Sequence, residues 1–228
     1  MAAGAKQDLQ DFLRANANGW QLVWKAREDY LFCRLGMTHA MWSSFEMATQ
    51  AIEKLLKGYS LMRDPSFSGD IKPLLKAIRT AAKARGRTSE FGHDVEACLD
   101  VAQVAGLPVS SDLAGRVATI NSYYARRYPD NASAPNTLST GQIGDVDKTV
   151  FEIWDAFKAI NEDYYYTTGM FTDAYAVAVQ PSGSTTTNFQ ILTARNAAYA
   201  TRQADVREEI RTRIKTWYDQ EGVPPLVA

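Results

Sequence analysis

The stretch MWSSFEMATQAIEKLLKGY constrains the fold more than any other in the chain. Met41, Phe45, Ala48, Ile52, Leu55 and Tyr59 follow one another at alternating steps of four and three residues. Each residue turns about 100° around an α-helix, so this spacing gathers all six on one face. A strand, whose side chains alternate faces at every residue, would split the same set between core and solvent. The opposite side carries Glu46, Gln50, Glu53, Lys54 and Lys57, which predicts an amphipathic helix with Lys54 and Lys57 on a solvated face beside Glu53.

Similar patterns flank it. Trp20, Trp24, Tyr30 and Leu31 mark a preceding helix running toward Gly36, whose missing Cβ suits a helix end. The two predict an antiparallel pair with a short connection. After RDPSFSGD, Asp70 is placed to cap a third helix that tolerates Pro73 in its first turn and carries Leu74, Leu75, Ile78 and Ala82 until ARGRT closes it. A fourth has Val95, Leu99 and Ala102 on one side and Gly106 beyond its end. A fifth, SSDLAGRVATINSYYARRY, has a serine cap at Ser111, Asp112 in its first turn and a stripe of Leu113, Val117, Ile120 and Tyr124, and Pro129 ends it.

The turn-forming PDNASAPN is the internal boundary. Beyond it, Val146, Val150, Ile153, Phe157 and Ile160 predict a helix entered near Asp145 that packs on the earlier ones. NEDYYYTTGMFTDAYAVAV reads as irregular or short helical structure, QPSGSTTTN as a flexible loop, and Ala194 to Gln220, with Val206, Ile210, Ile214 and Trp217, as a long surface helix. The expected organisation is a helical lead-in (1–19), a helical bundle (20–135) and a helical C-terminal extension packed on it (136–228). Short connections in the first part favour an all-α, up-and-down bundle.

Charge narrows the function classes. The 25 Lys plus Arg nearly balance 26 Asp plus Glu, so no global field draws the chain to nucleic acid or an anionic membrane, and a basic site must be local. Cys33 and Cys98 are too few for a disulfide scaffold or a four-ligand zinc site, and they sit in apolar helical patterns as buried, reduced thiols. No cationic leader and no apolar run of membrane-spanning length occurs, which predicts a cytoplasmic protein without a membrane partner.

Three segments in order, QAIEKLLKGY, GHDVEACL and ARRYPDN, resemble the HEPN domain family over residues 20 to 131. That family is a helical bundle often associated with nucleotidyltransferases or RNA-cleaving toxins. The resemblance implies a homodimer paired through bundle helices. It also implies a nucleotide or RNA ligand, or a nucleotidyltransferase-like protein partner. HEPN ribonucleases carry an arginine followed, after about four to six intervening residues, by a histidine, the cation stabilising phosphate charge and the imidazole moving a proton. Arg126 and Arg127 match the arginine, but the window for the histidine reads Asn131, Ala132, Ser133 and Ala134, none of which titrates near neutral pH. The only histidines, His39 and His93, lie upstream.

Each candidate has a plain structural role as well. Arg126 and Arg127 complement the negative end of their helix, or one of them, since they diverge by about 100°, grips a phosphate with Asp130 orienting it. His93 and Asp94 start a helix, where the carboxylate suits the dipole and the imidazole packs or caps; alternatively His39, His93, Asp94 and Asp112 form the ligand set of a metal phosphohydrolase. Tyr164, Tyr165 and Tyr166 stack on bases or, with no basic neighbours, pack the extension against the bundle. The sequence thus points to a HEPN-like module without the usual Arg/His nuclease pair, binding through a groove of Arg127, Arg126, Asp130, His93, Asp94 and Lys54. No catalytic residue, metal or cofactor is assigned. The alternatives are a HEPN-type ribonuclease with an atypical base, the metal phosphohydrolase, and a dimeric scaffold.

Overall fold

The computed structural model describes residues 3–38, 41, 43–67, 70–88, 92–125 and 139–167. Among these lie eight α-helices and no strand. They are α1 (Ala3–Ala15), α2 (Ala17–Thr38), α3 (Ser44–Arg63), α4 (Ile71–Ala84), α5 (Val95–Val104), α6 (Leu113–Ala125), α7 (Thr140–Asp155) and α8 (Glu162–Thr167), with short 3₁₀ turns at Pro65–Phe67 and Ala156–Ala159. No helix among the described residues is long and apolar enough to cross a membrane.

Helix α3 is the axis of the structure. Its stripe of Phe45, Ala48, Ile52, Leu55 and Tyr59 is buried as the spacing requires, each large side chain contributing about 1.5–3 kcal/mol. Met41 precedes the helix and stays exposed. The expected solvated face does not exist in that form: Glu53 and Lys57 are buried and Lys54 is largely covered. α3 is packed by α2, α4, α5, α6 and α7, so little of its circumference is left for water. Its charged side chains pair inside the protein instead.

α2 runs antiparallel to α3. Gly19 faces Met62, Val23 faces Gly58, Asp29 faces Lys54 and Gly36 faces Ser44. Two glycines let the backbones approach, since a Cβ on Gly58 would lie 2.7 Å from Val23 Cγ2 and 3.1 Å from the Gly19 carbonyl oxygen. Gly36 is not a helix end. α2 continues to Thr38, and the glycine makes room for Ser44, whose Oγ would sit 2.3 Å from a Cβ there. The buried face of α2 is Val23, Ala26, Tyr30, Cys33 and Met37, while Trp24, 42% exposed, lies beneath the Arg27 guanidinium at 4.8 Å.

Local rules set the other helices. Asp70 caps α4 by accepting from the Lys72 N–H, and Leu74, Ile78 and Ala82 are buried. Gly86, at φ 71°, ends α4 with its own N–H on the Lys83 carbonyl and that of Arg87 on Ala82. Asp94 caps α5, and Val95, Leu99 and Ala102 are buried. α6 begins at Leu113, and the Ser111 hydroxyl is spent on the Asp112 carboxylate at 3.1 Å.

α7 starts five residues before Asp145, because Ser139 and Gln142 form a reciprocal capping box. Val146, Val150, Ile153 and Trp154 from α7 belong to the same core as α2 to α6. Asp147 accepts from the Tyr30 hydroxyl at 2.5 Å and pairs with Arg34, fixing α7 to α2 inside the protein. Tyr164 and Tyr165 of α8 are buried, Tyr165 stacked on Trp154 at 5.4 Å, so these two are packing residues. The hydroxyl-rich loop and the helix expected at Ala194 to Gln220 lie outside the described residues.

Candidate functional site

The start of α5 gathers the chemistry. Gly92, at φ 70°, turns the chain so that His93 stands just before the Asp94 cap, its side chain 67% exposed. His93 Nδ1 lies 2.9 Å from Oε1 of Glu53 on α3. The same oxygen accepts from Lys57 Nζ at 2.7 Å. A carboxylate oxygen only accepts, so in this contact Nδ1 is the donor. Glu53 is anchored by Lys57 one turn along its own helix, and an exposed imidazole is thereby held by a buried carboxylate.

Asp94 is committed elsewhere. One oxygen takes the Ala97 N–H at 3.0 Å and the other faces Arg87 at 3.5 Å. Around it runs an ion network: Arg85 grips Asp100 through two 2.6 Å bonds and reaches Glu96 at 3.0 Å, and Arg87 donates to Glu96 at 2.8 Å. Burial alone would raise the Glu96 carboxyl, but hydrogen bonds from Arg87 and Asn121 and the two arginine charges outweigh it and hold the group below its usual range. Asn121 donates to Glu96 at 3.0 Å, and Tyr123 packs on Phe45 at 4.7 Å. The end of α6 therefore lies beside the starts of α5 and α3.

Of the residues expected from sequence, His93 and Asp94 stand together here. Lys54 is turned the other way, onto Asp29 of α2 and Gln50. Burial pushes the Asp29 carboxyl up, and the Lys54 hydrogen bond only partly opposes this. Arg126, Arg127, Asp130 and His39 lie outside the described residues. Among the described residues no group of three or more His, Cys, Asp or Glu side chains is arranged to hold a metal ion. Cys33 and Cys98 are buried free thiols, each pushed far up by burial, which removes the thiolate a nucleophile needs. The residue missed in the sequence is Glu53. Its only signal was the i, i+4 pairing with Lys57, which reads equally well as a surface pair.

Comparison of the chain with protein-family models, with curated proteins and with solved structures finds no match.

Proposed function

We propose that the chain is a cytoplasmic, HEPN-like, up-and-down helical bundle acting as a non-catalytic binding module. Its ligand is a phosphate-bearing nucleotide or RNA, taken up where the start of α5 meets the end of α6. The observation that supports this reading is the Asn121–Glu96 bond, which ties α6, four residues before its end, to the first turn of α5 that follows His93; Arg126 and Arg127 come directly after α6 in sequence. An arginine supplies the charge and planar donors a phosphate selects, and the buried Glu53 fixes the imidazole's orientation. Homodimerisation, or docking of a nucleotidyltransferase-like protein, is supported by the apolar surface that α2 leaves open at Trp24, Phe32 and Leu35.

Calorimetric titration with uridine monophosphate tests the site. Arg127→Ala and His93→Ala should each weaken binding at least about tenfold, which is 1.4 kcal/mol, with unchanged helical circular dichroism. Unaltered affinity in both variants would end the proposal.

The His93–Glu53 pair favours a second reading, a ribonuclease of the HEPN type with an atypical base, because an oriented imidazole is a competent proton acceptor. It requires cleavage of labelled RNA that survives chelation and disappears with His93→Ala. The binding-module reading requires the RNA to stay intact.

A further inference from the structure

Helix α4 carries four charged residues and all are cations: Lys72, Lys76, Arg79 and Lys83. At about 100° per residue these positions fall within an arc of about 60°, and at about 1.5 Å per residue they span about 16 Å along the axis. All four side chains are exposed. None has a carboxylate partner among the described residues; the Arg79 Nε donates only to the Leu75 carbonyl at 3.2 Å. The nearby acids among the described residues are engaged elsewhere: Asp70 caps the Lys72 N–H at 3.0 Å, Asp100 is taken by Arg85, Glu96 by Arg85 and Arg87, and Asp64 caps the Ser66 N–H at 2.8 Å.

Such a row is unfavourable for the helix alone. Lys72 with Lys76, and Arg79 with Lys83, are like charges at i, i+4, and Lys76 with Arg79 at i, i+3, whereas a merely solvated helix face mixes both signs. In a chain whose formal net charge is −1, the stripe is a local concentration and not a consequence of composition. Its place is also defined. A Cβ on Gly92, the residue before His93, would lie 2.9 Å from Leu75 Cδ2, and Leu75 neighbours Lys72 and Arg79 on α4, so the stripe passes beside the position of His93.

We infer that this face of α4 is a track for the phosphate backbone of a polynucleotide, delivering the strand to the α5–α6 junction. The inference rests on the preceding reading in taking the phosphate-bearing ligand to be a nucleic acid. An anionic membrane is the weaker partner, because a helix lying on lipid flanks its cations with large apolar side chains, and α4 exposes none: Trp24, Phe32 and Leu35 are on α2, Met41 precedes α3, and only Val104, on α5, lies near Lys76. Four cations meeting one strand give a log–log salt slope of about −3, so binding falls about 50-fold between 50 and 200 mM salt.

The test measures anisotropy of a fluorescein-labelled oligouridylate, long enough to span the stripe, across that salt range. Lys72→Gln, Lys76→Gln, Arg79→Gln and Lys83→Gln are combined in one variant, since glutamine keeps helix propensity. Wild type should show the steep slope, the combined variant a slope shallower by about 3 with affinity down at least about 30-fold at low salt, and Lys148→Gln, exposed on α7, no change. Wild-type affinity and slope in the combined variant would overturn the inference, as would a stripe needed for phosphatidylserine vesicles but not for the oligonucleotide. Uridine monophosphate separates the two readings. A stripe variant that loses the oligonucleotide but keeps the mononucleotide supports the track, and it still does if Arg127→Ala leaves mononucleotide binding intact and the site reading alone falls.

Discussion

Asp147→Ala tests how the core is held. The Asp147 carboxylate has no exposed surface, accepts from the Tyr30 hydroxyl at 2.5 Å and pairs with Arg34, itself 2% exposed. Truncation removes the Asp147 carboxylate from a buried guanidinium between α2 and α7, at a cost of about 3–5 kcal/mol. The lost tyrosine bond adds about 1 kcal/mol. Against a total stability of about 5–15 kcal/mol this is a large fraction. Urea unfolding followed by circular dichroism should show the midpoint falling by about 2–3 M for a slope near 2 kcal/mol/M. The complementary variant combines Tyr30→Phe, Arg34→Met and Asp147→Leu. With the ion pair and the tyrosine hydroxyl removed together it should recover much of the loss, because a buried pair's attraction is largely offset by the cost of removing its charges from water. If Asp147→Ala loses less than about 1 kcal/mol, or the triple variant is no better than the single one, the pair does not hold α7 in the way described.

Gly58→Ala should destabilise by about 1–3 kcal/mol, read by the same unfolding, because the new methyl meets Val23 at 2.7 Å and the Gly19 carbonyl at 3.1 Å; a neutral result would mean the α2–α3 crossing has slack. Cys33 and Cys98 should both resist a thiol reagent in the folded protein and react together on unfolding, so native labelling of either would contradict their burial. Glu96, held below its unfolded pKa, contributes stability that is present above that value and is lost as pH falls through the folded one. The urea midpoint should therefore drop as pH falls below the ordinary carboxylate range, and Glu96→Gln should flatten part of that drop; equal slopes would dismiss the network. Glu53→Gln should cost roughly 3 kcal/mol by leaving Lys57 buried beside a neutral amide, and a wild-type unfolding curve would show that the pair contributes little.

The helices were legible where one face is apolar and the other wet, as in α4, α5 and α7; the apolar stripe of α3 was read too, but its charged face was taken for a wet one and is covered. The start of α7 was not, because a capping box needs only Ser139 and Gln142 and carries no hydrophobic mark. Gly36 misled for a related reason: a missing Cβ ends helices and also admits neighbours, and only the position of Ser44 distinguishes the two. α2 has apolar residues around most of its circumference, so periodicity could not tell the buried Val23 and Cys33 from the exposed Trp24 and Phe32. For the site, the His93–Asp94 pair was visible as a motif, but its anchor was not. Glu53 lies forty positions away, and which face of α3 meets α5 is decided by tertiary packing.

That anchor couples the site to the core. Glu53 serves two partners through one oxygen, a lysine that stays buried only while its charge is answered and an imidazole that is mostly in water. Substitution at Glu53 therefore perturbs folding and ligand binding together, and a loss of binding there says nothing about which came first. His93, 67% exposed, and the four cations of α4, paired with no carboxylate among the described residues, can be changed with little effect on packing. Binding can be separated from folding at those positions. The arrangement also explains why α3 keeps a charged pair inside the bundle, since without Lys57 beside it the buried carboxylate that holds His93 would lose the charge that offsets its burial.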